Sequence, residues 1–232
     1  MSEKHTHAIG LMSGSSLDGY DLVYIRIDEK DDGKEDIQVI RTEMKEYPNW
    51  ILEELEMTGN LPARAYFNLN GRYSRYLGES ISDFISEYNI SADIIGIHGH
   101  TIYHDPTGGI SVQMGHPGII AEITECKTVG DFRTQDMTHG GQGAPMAAIL
   151  DKALFANKSA CINLGGIANI SLIRSADDIV AYDLCGFNQV NNFLAQKLGY
   201  TYDDKGVLGR EGEVNYDLLN TLDDDAGSSP QH

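Results

Sequence analysis

Ala8–Met12 and Tyr20–Asp28 read as strands, and from Tyr20 to Ile27 apolar and polar residues alternate in β fashion. Between them "SGSSLDG" is a polar turn of glycines, serines and an aspartate. The charged stretch "DEKDDGKED" (Asp28–Asp36) predicts a second turn, and "IQVIRTEM" (Ile37–Met44) a third strand, so the chain opens on a β-meander. The period then changes. "NWILEELEM" predicts a short helix and "PARAYFNLNGRYSRYLGESISDFISEYN" a long one, with Pro62 in the first turn. In the long one Tyr66, Leu69, Tyr73, Tyr76, Ile81, Phe84, Ile85 and Tyr88 fall near helical spacing. A buried strand "IIGIHGH", a strand "ISVQMG", a helix "PGIIAEITEC" and a strand "KTVGDF" follow.

After the glycine-rich joint "THGGQGAP" the pattern restarts. "APMAAILDKALFA" predicts a helix. "ACINLGG", "IANISLIRS" and "DIVAYDL" predict a second meander, again with glycines in its first turn, and "NQVNNFLAQKLG" a helix. This order suggests two related α/β halves meeting at a cleft: a first over residues 1–133 and a partial second over 134–220. "TLDDDAGSSPQH" carries no apolar period and reads as a disordered or non-native tail over 221–232. The second half has fewer elements after its meander than the first, so the chain is expected to be C-terminally truncated.

Composition narrows the function classes. The 232 residues, 41% of them hydrophobic, describe a globular chain. No apolar run is long enough for a membrane helix and no secretion signal is evident, so a soluble, cytoplasmic protein is expected. The three cysteines, Cys126, Cys161 and Cys185, give neither a disulfide framework nor metal-ligand pairs. A net charge of −18 argues against a nucleic-acid partner, while still allowing a small nucleotide held by backbone N–H groups and Mg²⁺.

Candidate chemistry collects at four places. In "LMSGSSLDGYDLVYIRI", Gly14 and Gly19 allow unusual backbone angles, and Ser13, Ser15 and Ser16 offer hydroxyls beside an anion nest of N–H groups. It is not a P-loop, lacking the lysine and the helix straight after. Asp18 and Asp21 make sense there if Mg²⁺ lies between them and a phosphate, directly or through water; an ordinary hairpin turn is the competing reading. Gly165-Gly166 in "CINLGGIANI" is either a plain tight turn or a second phosphate contact, the two turns together clamping one nucleotide. Asp183 in "AYDLCGFNQV", at a strand end before a helix, reads as a general base or a helix cap, and Asn188 as a ligand contact or a cap. In "GDFRTQDMTHGGQGAP", Arg133 either grips a substrate carboxylate or pairs with Asp131 or Asp136, with Gln142 close by. His98, His100 and His104, with Asp105 close by, allow a zinc reading on count, but the i, i+2 pair would face one side of a strand and no fourth ligand is evident, so a structural role is the favoured reading.

Taken in order, "GLMSGSSLDGYDLV", "GIHGHTIYHDP", "SVQMGHPGIIAEIT", "VGDFR", "GGQGAP" and "INLGGIANIS" resemble the anhydro-N-acetylmuramic acid kinases in sequence and spacing, over about Ala8 to Leu219. The resemblance implies a cytoplasmic bacterial enzyme of peptidoglycan recycling with the two-lobed actin-like and sugar-kinase fold (ribonuclease H-like), its second lobe here incomplete. It implies ATP and Mg²⁺ as cofactors, an amino sugar as substrate and pairing into homodimers. The reaction implied is phosphorylation of 1,6-anhydro-N-acetylmuramic acid at O6 while water opens the anhydro bridge. Gly14, Ser15, Ser16, Leu17, Asp18, Gly19, Tyr20 and Asp21 match the family's ATP-phosphate segment, with Asp18 toward the metal. Asp183 matches the catalytic aspartate and Asn188 the asparagine of an Asp-x-Gly-Pro-Gly-Asn motif; Asp131, Arg133 and Gln142 are expected on the sugar. Cys185, Gly186 and Phe187 depart from that motif's Gly-Pro-Gly, and Ser15 stands where threonine is common. The C-terminal portion expected to be absent would, by the resemblance, supply the family's adenosine-binding glycine motif and part of the sugar site. An inactive fragment, or a remnant that binds sugar or nucleotide without catalysis, is therefore the alternative expectation, and another sugar kinase or actin-like ATPase of the same fold the third.

Overall fold

A computed structural model describes residues 5–14, 19–30, 35–155, 157–175 and 178–228. The chain divides into two compact units, Met1–Ala156 and Asn157–His232. The sequence pattern places the joint near residue 133, but two helices beyond it belong with the first unit.

The first unit begins with strands β1 (His5–Ser13), β2 (Tyr20–Glu29) and β3 (Glu35–Lys45). They form the antiparallel meander that the alternation predicts, in register from Ser13 opposite Tyr20 to His5 opposite Asp28. Helix α1 (Asn49–Glu56), a 3₁₀ turn (Thr58–Asn60) and the long helix α2 (Ala63–Glu87) follow. Pro62 stands just before α2 as its N-cap residue rather than inside the first turn. Then come β4 (Ile94–Ile97), a hairpin of β5 (His100–Asp105) and β6 (Ile110–Met114), helix α3 (Pro117–Thr124), β7 (Thr128–Val129), and helices α4 (Thr134–Thr138) and α5 (Pro145–Phe155).

The main sheet has the order β3-β2-β1-β4-β7. β4 runs parallel to β1 and β7 parallel to β4, so the meander continues into a parallel pair reached by helical crossovers. Ile9 and Leu11 of β1, Leu22 and Tyr24 of β2, and Ile95 and Ile97 of β4 are buried. Against them lie Leu69, Tyr73, Leu77, Ile81 and Phe84 of α2, at steps of four, four, four and three residues. This is one apolar stripe of a helix laid on one face of a sheet.

Within this core is a layer of tyrosines. The Tyr20 hydroxyl lies 2.7 Å from Ser80 Oγ and 3.2 Å from the Tyr76 hydroxyl, its single proton serving one bond and its oxygen accepting in the other, while the Tyr47 and Tyr73 hydroxyls share a hydrogen bond of 2.7 Å. Burial pushes the Tyr20 and Tyr73 phenols well above their ordinary range, so both stay protonated. At the edge of this layer Trp50 packs edge-on against Tyr76, with ring centroids 6.1 Å apart, and under the guanidinium of Arg72, itself bonded to Glu54 at 2.6 Å. Replacing Tyr20 by Phe removes both hydroxyl bonds and leaves Ser80 buried without that partner. A loss of about 1–2 kcal/mol in urea denaturation is expected; an unchanged midpoint would show that the bonds contribute nothing net.

The second unit holds β8 (Ala160–Leu164), β9 (Ile167–Ser175) and β10 (Asp178–Gly186), an antiparallel sheet of order β10-β9-β8. Helix α6 (Asn188–Lys197), a 3₁₀ turn (Asp204–Gly206), α7 (Val207–Glu211) and α8 (Tyr216–Ser228) complete it. Ala168, Ser171 and Ala195 are buried there, whereas Ile162, Leu164 and Leu194 are exposed.

Several expectations change. "IIGIHGH" is not one strand: β4 stops at Ile97, and His100 starts a hairpin that the pattern does not reveal. "KTVGDF" contributes only Thr128 and Val129, because Asp131 takes a left-handed backbone angle, φ 57°. Of the tail 221–232, expected to be disordered or non-native, Thr221–Ser228 is helical backbone of α8 and 229–232 lie outside the described residues. Among the described residues no helix is long and apolar enough to cross a membrane.

Candidate functional site

In the first unit the chemistry converges on the loops that follow β4 and β7. His98 leaves the end of β4 with its backbone N–H on the Leu11 carbonyl. Its ring is buried, and Nδ1 lies 2.8 Å from the Gly99 carbonyl oxygen. A carbonyl only accepts, so Nδ1 carries the proton and Nε2 presents a lone pair. That lone pair receives Arg133, whose Nη2 lies at 2.9 Å and Nε at 3.2 Å. Arg133 Nη1 donates to the Gly143 carbonyl at 2.7 Å. Burial and the neighbouring guanidinium lower the His98 pKa, and burial lowers that of Arg133, which as a guanidinium remains charged.

Arg133 therefore does not take the expected ion pair with Asp131 or Asp136. Asp131 Oδ1 instead accepts from the Thr134 backbone N–H at 3.2 Å, at the start of α4. Asp136 Oδ2 accepts from the Gly143 N–H at 2.7 Å, which folds the glycine loop back over α4. Gln142, inside that loop, is exposed.

Asp131 and His98 also line a cavity of about 200 Å³ with Asn70, Gln113 and His116. Its rim is fixed from below by α2. Asn70 Oδ1 accepts from Gly115 N at 2.9 Å and buried Ser74 Oγ from His116 N at 2.7 Å, while His116 Nδ1 caps α3 by accepting from Gly118 N at 3.1 Å. Sequence reasoning misses Asn70 and Ser74, because polar residues inside a helix pattern look like solvent-facing positions. Among the described residues no three His, Cys, Asp or Glu groups gather in a way that could hold a metal ion. His104 turns instead to Ser111 Oγ at 3.1 Å.

Of the opening turn, Ser15, Ser16, Leu17 and Asp18 lie outside the described residues. The turn's two ends are placed. Gly14 faces His100, whose pKa burial lowers. Gly19, at φ 147°, is packed so that a Cβ would fall on the Lys45 carbonyl; its lack of a side chain serves the hairpin. Tyr20 sends its side chain into the core, so only its backbone can face a ligand. Asp21 is exposed, opposite Met12.

In the second unit four of the expected residues gather at one end of the sheet. Gly165 and Gly166 turn β8 into β9, and their carbonyls accept from the first amides of α6: Asn188 N to Gly165 at 3.2 Å, Phe187 N and Gln189 N to Gly166 at 2.9 and 3.0 Å. Those amides are taken, so the α6 terminus offers less to an anion than the sequence suggests. Neither glycine has a positive φ. A Cβ at Gly165 would find its nearest neighbours 3.6 Å away, and one at Gly166 would lie 3.4 Å from Gln189. The turn does not need glycine at either position, and what glycine leaves is bare, approachable backbone. Asp183 lies in β10 opposite Asn169, three residues before the strand's end at Gly186, beside a β-bulge between Asp183 and Cys185. The carboxylate is exposed and does not cap α6, whose N-cap residue is Phe187 with no side-chain cap bond.

The family model described as anhydro-N-acetylmuramic acid kinase matches residues 6–230. The chain belongs to this family. It is 34% identical over 226 residues to the anhydro-N-acetylmuramic acid kinase of Pseudomonas syringae pv. syringae (strain B728a), covering 92% of this chain and 60% of that protein. The similarly named protein of Methylorubrum populi is 32% identical over 244 residues, covering 93% and 63%. That of Neisseria meningitidis serogroup C is 33% identical over 224 residues, covering 92% and 60%. The chain thus spans about 60% of the length of these anhydro-N-acetylmuramic acid kinases. Among solved structures, an Aquifex aeolicus member of the Ppx/GppA protein family aligns at 10% identity over 82% of this chain and 54% of its own, with a TM-score of 0.38. The ethanolamine utilization protein EutJ of Carboxydothermus hydrogenoformans aligns at 11% over 88% and 60%, also at 0.38. Likenesses of that size fix neither fold nor function.

Proposed function

We propose that this chain is an ATP-dependent kinase that converts 1,6-anhydro-N-acetylmuramic acid and water to N-acetylmuramic acid 6-phosphate, in the recycling of cell-wall sugar. The observation that carries this reading is the family match along residues 6–230. The sheet order β3-β2-β1-β4-β7, an antiparallel meander followed by two parallel strands, supports the actin-like, ribonuclease H-like architecture such a kinase would use.

Asp183 is the base in this reading. It takes a proton from the water whose oxygen bonds to C1, the C1–O6 bond breaks, and the freed O6 attacks the γ-phosphorus in line, with ADP as leaving group. Arg133, held by His98 and Gly143, receives the carboxylate of the sugar, with Asp131, Gln142 and Asn188 as further contacts. The open backbone at Gly165 and Gly166 fits a nucleotide phosphate. Mg²⁺, which would spread the charge of the transferred group, needs only one or two carboxylates besides phosphate oxygens; Asp18 is assigned to it and exposed Asp21 is the described carboxylate nearest in sequence.

The test is to incubate the protein with ATP, Mg²⁺ and the anhydro sugar and weigh the product. A gain of one phosphoryl group and one water supports the reading. Folded protein that yields no product overturns it, and sugar-induced stabilisation without turnover then favours a binding role. Gly165→Ala should leave thermal stability unchanged or slightly raised, since the site accepts a Cβ. It should weaken nucleotide binding several-fold by calorimetry; unchanged affinity would remove that turn from the nucleotide site.

A further inference from the structure

We infer that His98 is a positioning residue: its neutral ring, fixed by the Gly99 carbonyl, holds the Arg133 guanidinium in the orientation that receives the substrate's anionic group. This rests on the reading above that Arg133 takes the sugar carboxylate.

Arg133 has five N–H bonds to place. Nε and Nη2 each direct one at His98 Nε2, and Nη1 directs one at Gly143. One N–H remains on each terminal nitrogen, which is what a two-oxygen anion takes up. No carboxylate among the described residues pairs with this guanidinium, so its charge is left for a ligand. A histidine with its proton on Nε2 could not do this, because it would point a donor at a donor. The Gly99 carbonyl excludes that form.

The arrangement titrates. Protonating His98 puts a hydrogen on Nε2 and a second cation against Arg133. The groups facing the ring are Arg133, His100 of β5 and the Ser13 carbonyl of β1, with Asp131 and His116 across the cavity. Since the folded-state pKa lies below the ordinary 6.5, the neutral pair is complete above that value and is lost as pH falls through the lowered one. The sugar's own carboxylate stays ionised through that range.

The experiment is calorimetric binding of 1,6-anhydro-N-acetylmuramic acid between about pH 8 and about pH 5, alongside nitrogen-detected NMR of the His98 ring and the Arg133 Nε–H. The wild type should lose affinity on the acid side. His98→Ala should bind at least about tenfold more weakly at the alkaline end, with the effect in KM more than in kcat. His98→Gln, whose Oε1 accepts and does not titrate, should recover much of that affinity and lose the acid-side fall. NMR should show the Nδ1–H form at neutral pH and slow exchange at Arg133 Nε–H. Wild-type affinity in His98→Ala, or an acid-side fall that persists in His98→Gln, overturns the inference. A wild type that binds no sugar sinks the functional reading instead. The NMR then decides His98 separately, because an Nε2–H or cationic ring at neutral pH overturns its role whatever the ligand.

Discussion

Asp183→Asn is expected to lower phosphoryl transfer by about 10²–10⁴-fold, the range a positioned general base supplies, with no change in melting temperature. Both halves of that expectation follow from where the residue sits. Its side chain is exposed on β10, caps no helix, and lies beside a bulge where the ladder with β9 is already shifted. The amide is nearly the same shape, so the strand keeps its fold. What it loses is the capacity to take a proton from water. Sugar binding should survive, and kcat should carry the loss. A variant with wild-type turnover would remove Asp183 from the chemistry, whereas a variant that melts early would make it a structural residue.

The second large effect is expected at Gly99. It sits at φ 74° between β4 and β5, where a Cβ would fall on the Met114 carbonyl oxygen at the end of β6. Gly99→Ala meets both a left-handed backbone angle and a backbone clash that no rotamer can relieve. A destabilisation of about 3 kcal/mol or more is expected, since strained angles alone cost on the order of 1–3 kcal/mol. The consequence reaches the site, because the same residue's carbonyl sets the proton of His98. Sugar affinity should therefore fall even in the fraction that folds. Denaturant titration with parallel calorimetry checks both; a stable variant with normal affinity would show that the β4–β5 corner moves freely.

Much of this fold is legible along the chain, and the failures have physical causes. Both meanders announce themselves through local alternation and turn chemistry, and α2 through its repeated apolar steps. The β4–β5 corner does not. "IIGIHGH" looks like one continuous strand, and the break at Gly99 is imposed from elsewhere, where the chain returns through β6 and the Met114 carbonyl closes over the glycine.

The site is legible as a set of residues but not as a set of partners. Arg133 stands beside Asp131 and Asp136 in sequence, and local spacing favours an ion pair with them; the fold gives it His98 instead, from the end of a different strand. Asn70 and Ser74 read as the polar side of a helix, yet they hold the Gly115–His116 backbone. Gly165 and Gly166 are ambiguous in the sequence because a turn and a ligand both ask for glycine. Only the backbone angles and the open space around them separate the two demands.

The single tryptophan has a use outside the chemistry. Trp50 lies in the first compact unit, against Tyr76 and Arg72, and the second unit contains no indole. Its fluorescence during a melt therefore reads the packing of Trp50 against Tyr76 and Arg72 in Met1–Ala156. A transition that appears in backbone circular dichroism without a matching change in indole emission belongs to chain away from Trp50, which includes all of Asn157–His232.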